Sequence, residues 1–379
     1  MESQKREKVC ILQNGLAFGG TDTFVINLCR EIDKDKFDVT VVNPCQRKES
    51  NMREPDLLET GVKLIHTSDL KAGLKSKLRH LKMLYQILKK GNFDVFQTNI
   101  DLFNGPNLFV AWMAGVPIRC CHSHNSMQER EIIDGSTLAV RTYQAVMRFL
   151  CWHFANRHVG CSEKAMNFLY KGHDWHQDKY PIVINNGIYI DNFRNLNKER
   201  IEAKKKSLGL TAKYNLLTVG HFSAQKNSVF IADTIGQLLS QRKDCDFVWV
   251  GTGKKEEECR QILTHHGVLD RVHFMGGRTD VNEIMQCCDL FYLPSAFEGL
   301  GIVIIEAQAA GLPCIVSDVI PQEANCGGCL YIALGDNKEV WLKSINEVID
   351  KKIILNIDEL KLQNFSVKHM TEQMQQVFQ

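Results

Sequence analysis

The chain has 379 residues, of which 44% are hydrophobic and 24% charged, with 46 Lys and Arg against 44 Asp and Glu. This composition excludes global disorder, and a net charge of +2 argues against a dedicated nucleic-acid binder, which needs a cationic excess to neutralise phosphates. The length exceeds one typical core and predicts two domains.

The start, MESQKREKVCILQ, is charged and then enters a short apolar strand, so it does not read as a signal peptide. No apolar run approaches the roughly 18 residues of a membrane-spanning helix. VCILQNG (9–15) reads as a strand leading to a loop at Gly19 and Gly20, with Thr21 or Thr23 as the cap of the next helix. FDVTVVNP and GVKLIHTS are strands, followed by a basic helix near 74–90 and the strand FDVFQTNI. After another helix come VPIRCCHSHNS, a helix over about 137–157, HVGCSEKAMNFLY and YPIVINNGI. Strands alternating with helices predict a parallel sheet with right-handed crossovers.

Residues 189–210 are polar, without a strand signal, and read as a linker or linking helix. A second alternation runs through YNLLTVGHFSAQKN, FVWVGTG, VHFMGG, CCDLFYLPS, PCIVSD and GGCLYIAL. The expected organisation is a first Rossmann-like domain (1–190), a linker (191–210), a second Rossmann-like domain (211–360) and a C-terminal helix (361–379) packing back on the first. The fold class is α/β, two doubly wound domains facing each other across a cleft, with ligands at the carboxyl ends of strands. The 14 cysteines fall mostly in apolar stretches and predict free thiols in a reducing compartment. Cys326 and Cys329 make a lone C-x-x-C that reads as a Gly-rich turn rather than a metal site.

The loops after strands hold the candidate residues. HFSAQK places His221 and Lys226 five apart, suited to a phosphate; a solvated lysine is the alternative for the loop taken alone. FVWVGTGKK carries a G-x-G that is not a Walker A loop and equally fits a tight turn. Gly276, Gly277 and Arg278 frame a nucleobase or make a plain turn. In EGLGIVIIE a helix is expected to start near Gly301 or Ile302, where free N–H groups, such as those of Ile302 and Val303, suit a diphosphate. Glu306 lies too deep for a cap, in an apolar run where an unpartnered carboxylate is costly. Its two oxygens suit the neighbouring hydroxyls of a ribose, and Glu298, ahead of the helix, suits those of a sugar beyond the diphosphate. In CCHSHNS, strand alternation puts His122 and His124 on one face; His124 suits a cleft position or a satisfied structural role.

GGTDTFVINL, HSHNS, VGCSEKA, VINNGIYIDNF, VGHFSAQKN and DLFYLPSAFEGLGIVIIEAQAAGLPCIVSD run in order from residue 19 to 318. On these motifs the chain resembles the retaining glycosyltransferases of family 4, of GT-B fold, nearest the capsular and exopolysaccharide type. The E-x7-E of Glu298 and Glu306 is the most specific. The resemblance implies a catalytic set of His124, Lys226 and Glu298. Glu306 would bind the donor ribose, Glu298 the donor sugar and Lys226 the diphosphate. His124 would lie near the reacting sugar, and Gly19–Gly20 would face the phosphates and acceptor. It implies a UDP-sugar donor, a glycan or lipid-linked oligosaccharide acceptor, no metal and a cytoplasmic location at the inner face of the membrane. His221 stands where the family usually has Arg, which weakens charge-fixed grip on phosphate. The D-x-D of Asp244 and Asp246 precedes a strand, on the wrong side for a cleft, and reads as a solvated loop. A non-catalytic partner subunit and a sugar-nucleotide epimerase are the alternatives.

Residues 71–93 hold seven Lys and Arg and no acid, with Leu74, Leu78, Leu81, Leu84 (or Tyr85) and Leu88 at helical spacing. Either the basic side is merely solvated, or the helix makes a peripheral contact with an anionic membrane.

Overall fold

A computed structural model describes residues 5–126, 137–176 and 182–379. Backbone contacts divide them into two compact units. The first holds residues up to 126, from 137 to 188, and Phe365–Gln379; the second holds Tyr189–Asn364.

The first unit is a parallel sheet of β1 (Glu7–Leu12), β2 (Phe37–Asn43), β3 (Lys63–His66), β4 (Val95–Thr98), β5 (Ile118–Ser123) and β6 (Arg157–Gly160), in the order β3-β2-β1-β4-β5-β6. The second repeats that plan with β7 (Tyr214–Val219), β8 (Cys245–Val250), β9 (Val272–Gly276), β10 (Leu290–Leu293), β11 (Cys314–Ser317) and β12 (Cys329–Ile332), in the order β12-β11-β10-β7-β8-β9. Their apolar runs follow from burial on both faces: every residue of β4, β8, β10 and β11 is buried. Each sheet has a point where the direction of winding reverses, between β1 and β4 in one and between β7 and β10 in the other. Ligands of doubly wound sheets bind there.

The helices that bear on the sites are α1 (Gly20–Glu31), α2 (Leu74–Gly91), α3 (Asn104–Ala114), α4 (Leu138–Phe154), α5 (Ser228–Gln241), α6 (Ile302–Ala309) and α7 (Val367–Phe378). α7 packs on α1, and Val367 donates its N–H to the Ile188 carbonyl at 3.1 Å.

The structure departs from the sequence reading in several places. Asp22, not Thr21 or Thr23, holds the start of α1: its carboxylate accepts from the backbone N–H of Gly19 and of Ala17, at 3.0 and 2.9 Å. The stretch expected as a strand over 180–188 makes isolated bridges only, at Val183 and Ile188, with Tyr180 and Pro181 outside the described residues. Residues 191–210 lie within the second unit, where the helix Lys198–Leu208 sends Lys204 to the carboxylates of Asp280 and Glu283. Along α2 the expected apolar stripe is only half covered. His80, Leu84 and Leu88 are buried, whereas Leu74 is 73% exposed and Leu78 59%.

All 14 cysteines are buried free thiols. Cys326 and Cys329 belong to a turn organised by Gln308, whose Oε1 accepts from the N–H groups of Cys326 and Gly328 at 2.8 and 3.1 Å.

Candidate active site

In the second unit, the loops after β7 and β10 flank the point of reversal. The β7 loop carries His221 and Lys226; the β10 loop carries Glu298 and leads into α6. Hydrogen bonds stitch the two together: Ala296 N–H to the Gln225 carbonyl at 2.8 Å, and the Asn227 amide to the Pro294 carbonyl at 3.1 Å. Lys226 and Glu298 meet across this seam, with Nζ 2.6 Å from Oε1. Both side chains are largely buried, so the pair is held in a low-dielectric setting where charge–charge attraction is strong. Ser295 Oγ donates to the same carboxylate oxygen at 2.7 Å, and Ser317 Oγ donates to the Ser295 carbonyl at 2.6 Å, so the Glu298 head group is set by its surroundings.

Glycines make this seam passable. A Cβ on Gly251 would stand 1.9 Å from the Gly220 carbonyl oxygen, and one on Gly253 would stand 2.5 Å from that of Phe222. The G-x-G after β8 is therefore the close approach of one loop to another. Gly251 N–H in turn donates to the Gly276 carbonyl at 2.8 Å, joining the β9 loop to the same set. His221 is exposed, and its Nδ1–H donates to the Thr252 carbonyl at 3.1 Å, leaving Nε2 on the other side of the ring. Arg278 is turned to its own loop: its guanidinium forks onto Asp280 at 2.6 and 2.7 Å.

The first turn of α6 begins at Gly301, whose φ of 82° lies in the left-handed region and starts the helix without a side-chain cap. The N–H groups of Ile302 and Val303 therefore head the helix. Glu306 lies one turn further in. It is half-buried, although the residues around it on the helix are buried.

The D-x-D reading needs correction. Asp244 stands at the entry to β8 in a two-point ion pair with Arg242, at 2.8 and 2.9 Å, which holds its carboxyl down to about 2. Asp246 is no solvated loop residue: it is buried within β8 and accepts from His273 at 3.1 Å.

In the first unit the candidate residues are uncharged and deeply buried. His122 ends β5 and His124 follows it, with ring centroids 4.0 Å apart. Phe24 of α1 meets the edge of His122 at 4.8 Å and lies 5.2 Å from His124. The helix that begins at Gly19–Gly20 is thereby tied to the histidine pair. Burial pushes the His124 imidazole down to about 3 and His122 well below its ordinary value. Residues that the sequence did not single out support them. Asn99 Nδ2 donates to the Leu12 carbonyl, so its Oδ1 is an acceptor and takes the His124 Nε2–H at 3.0 Å. Gln97 donates both to that Oδ1 and to His122 Nδ1, at 3.0 and 3.2 Å. The tautomers follow: His124 keeps a lone pair on Nδ1 and His122 an N–H at Nε2, and both atoms are buried without a hydrogen-bond partner among the described residues. Asp101 receives the His124 backbone N–H at 3.0 Å, and burial raises its carboxyl.

Two family models match the chain: "Glycosyltransferase Family 4" over residues 18–192 and "Glycosyl transferases group 1" over 213–351. EpsF of Bacillus subtilis (strain 168), named as a glycosyltransferase, is 30% identical over 353 residues, covering 90% of this chain and 87% of EpsF. The Escherichia coli UDP-Gal:alpha-D-GlcNAc-diphosphoundecaprenol alpha-1,3-galactosyltransferase is 27% identical, covering 87% and 82%. Among solved structures, Anabaena HepE in complex with UDP and glucose superposes with a TM-score of 0.81 at 18% identity, covering 98% of each chain. The chain belongs to the family 4 glycosyltransferases, and its two Rossmann-like units are those of the GT-B fold.

Proposed function

We propose that the protein is a retaining glycosyltransferase that moves a sugar from a UDP-sugar to a glycan or lipid-linked acceptor. The observation that carries this is the Lys226–Glu298 pair, built across the point of reversal of the second sheet and next to the start of α6. A cation, a carboxylate and a helix N-terminus at that place suit, in turn, a diphosphate, sugar hydroxyls and the phosphate oxygens. Glu306, half-buried in α6, suits the ribose. The E. coli relative is named as a galactosyltransferase from UDP-galactose to GlcNAc-diphosphoundecaprenol, and HepE binds UDP, which supports the donor and acceptor classes.

In this reading no enzyme nucleophile forms a bond to the sugar. The bond between the anomeric carbon and the diphosphate breaks as charge grows on the departing oxygen. Lys226, His221 and the amides of Ile302 and Val303 stabilise that charge. The acceptor hydroxyl attacks from the same face, and its proton passes to the departing oxygen. The Nδ1 of His124, without a partner among the described residues, is an acceptor for a sugar hydroxyl. The donor is a substrate rather than a resident cofactor, and the protein's own cations replace a metal; undiminished turnover in excess chelator is expected. The location is cytoplasmic, at the membrane carrying the acceptor.

Titration with UDP followed by donor hydrolysis tests the assignment. Glu306→Ala is expected to weaken UDP binding by about 10- to 100-fold, the loss of a charge-assisted hydrogen bond of roughly 1.5–3 kcal/mol. Lys226→Ala is expected to lower turnover at saturating donor as well, by about 10²-fold, because the charge it meets grows in the transition state. Folded variants with unchanged UDP affinity and turnover would remove the basis for the assignment.

A further inference from the structure

α2, α3 and α4 connect β3 to β4, β4 to β5 and β5 to β6, steps that all move in one direction along the first sheet. Right-handed crossovers therefore set the three helices on one face, where α2 packs on α3 and α3 on α4. None of the three contains an aspartate or a glutamate, in a chain that has 44. α2 holds six Lys and Arg and α4 two. The same helices hold most of the exposed large apolar side chains among the described residues.

Those side chains are not loose ends of a core. The first half of α2 lifts Leu74 and Leu78 into solvent beside Lys75 and Arg79, while its second half does the packing. On α3, Trp112 is 52% exposed, and its ring lies 5.4 Å from that of Phe154, which also takes the edge of Phe109 at 4.9 Å. On α4, Phe149 is 54% exposed and stacked on His153. Exposed leucines and fixed aromatic rings on neighbouring helices that together carry eight cations and no anion match the layered chemistry of a bilayer surface: phosphate outside, glycerol and acyl carbon within.

We propose that this acid-free face of the first unit seats the protein on an anionic bilayer, with the α2 cations on the headgroups and Trp112 and Phe149 in the interfacial layer. The proposal deepens the lipid-linked-acceptor reading and rests on it for its purpose. A second copy of the chain is a poorer occupant, because a symmetric contact would set the same cations against each other with no carboxylate on these helices between them. Nucleic acid would leave the leucines and aromatic rings unmatched.

Co-sedimentation of the full chain with vesicles of phosphatidylcholine, alone or with phosphatidylglycerol, tests it. Binding is expected to the anionic vesicles only and to fall with salt. Changing Lys75, Lys77, Arg79 and Lys82 together to Gln should lower the partition coefficient on the order of 10³-fold. Trp112→Ser with Phe149→Ser should lower it at low and high salt alike. Both variants should keep the wild-type melting temperature and vesicle-free donor hydrolysis. Three results would overturn the proposal: no vesicle binding, binding indifferent to lipid charge, or a dimer in sedimentation velocity that Trp112→Ser dissociates. Intact hydrolysis with no vesicle binding removes the docking surface and leaves the transferase reading standing; vesicle binding without hydrolysis does the reverse.

Discussion

The two units share one strand order yet hold their candidate residues in opposite electrostatic states. In the second unit a lysine and a glutamate form a salt bridge within glycine-lined loops. In the first, two histidines are kept neutral by burial and oriented by the amides of Gln97 and Asn99. One sheet plan thus presents a charged site and a dry, hydrogen-bonding one. The difference arises from what the loops bring rather than from topology.

The largest effect is expected in the second unit. Gly251→Ala puts a methyl group into the Gly220 carbonyl and imposes a φ of 146° on an L residue. Overpacking and backbone strain of about 1–3 kcal/mol each should lower stability by roughly 2–6 kcal/mol. Hydrogen exchange should localise the loss to β7, β8 and β9; a loss shared equally by the first unit would break the contrast.

The first unit should be the more sensitive to mild acid. An unfolded histidine takes up a proton near pH 6.5, whereas folded His124 resists until about pH 3. The neutral imidazoles therefore favour folding fully above pH 6.5, and that contribution drains away as pH falls toward 3. The raised carboxyls of Asp22 and Asp101 act in the opposite sense, so the informative quantity is the difference between variants. His122→Gln should lose less stability than wild type between pH 6.5 and 4, by up to about 1.4 kcal/mol per pH unit. Parallel denaturation profiles would show that the pair does not stay neutral on folding.

The smallest effect is expected at His221, which is exposed and whose ring bonds through Nδ1 to the Thr252 carbonyl. His221→Arg should preserve or raise donor turnover, by a few-fold at most, because a guanidinium can grip phosphate with two N–H groups. A folded but inactive variant would mean that the loop is shaped around a flat ring with one donor.

Much of the fold was legible because buried parallel strands leave uninterrupted apolar runs, as in FVWV and LFYL. The run IVIN, at 182–185, misled for the same reason: it is apolar enough for a strand but makes only a bridge at Val183. The start of α6 was legible from Gly301. The pairing of Lys226 with Glu298 was not, because 72 residues separate them and only the register of β7 against β10 brings them together. Gln97 and Asn99 were also missed: an amide in a strand-end sequence carries no sign of which side chain it will orient. Helical periodicity located α2 but not the depth of its cover, since Leu74 and Leu84 share a pattern while only Leu84 meets the core. The absence of acids from three separate helices could have been counted in the sequence, but it signified nothing until the crossovers placed them together.

The return of Phe365–Gln379 to the first unit has a consequence for biosynthesis. Along the chain the second unit is an insertion, enclosed by segments that belong together. A ribosome delivers β1 to β6 before the second unit and α7 after it, with on the order of ten seconds or more of translation between them. Throughout that interval α1 lacks the helix that covers it, and Ile188 lacks the backbone partners that Phe365 and Val367 supply. The nascent first unit thus waits incomplete while the second can already close, and its completion begins only as α7 leaves the exit tunnel.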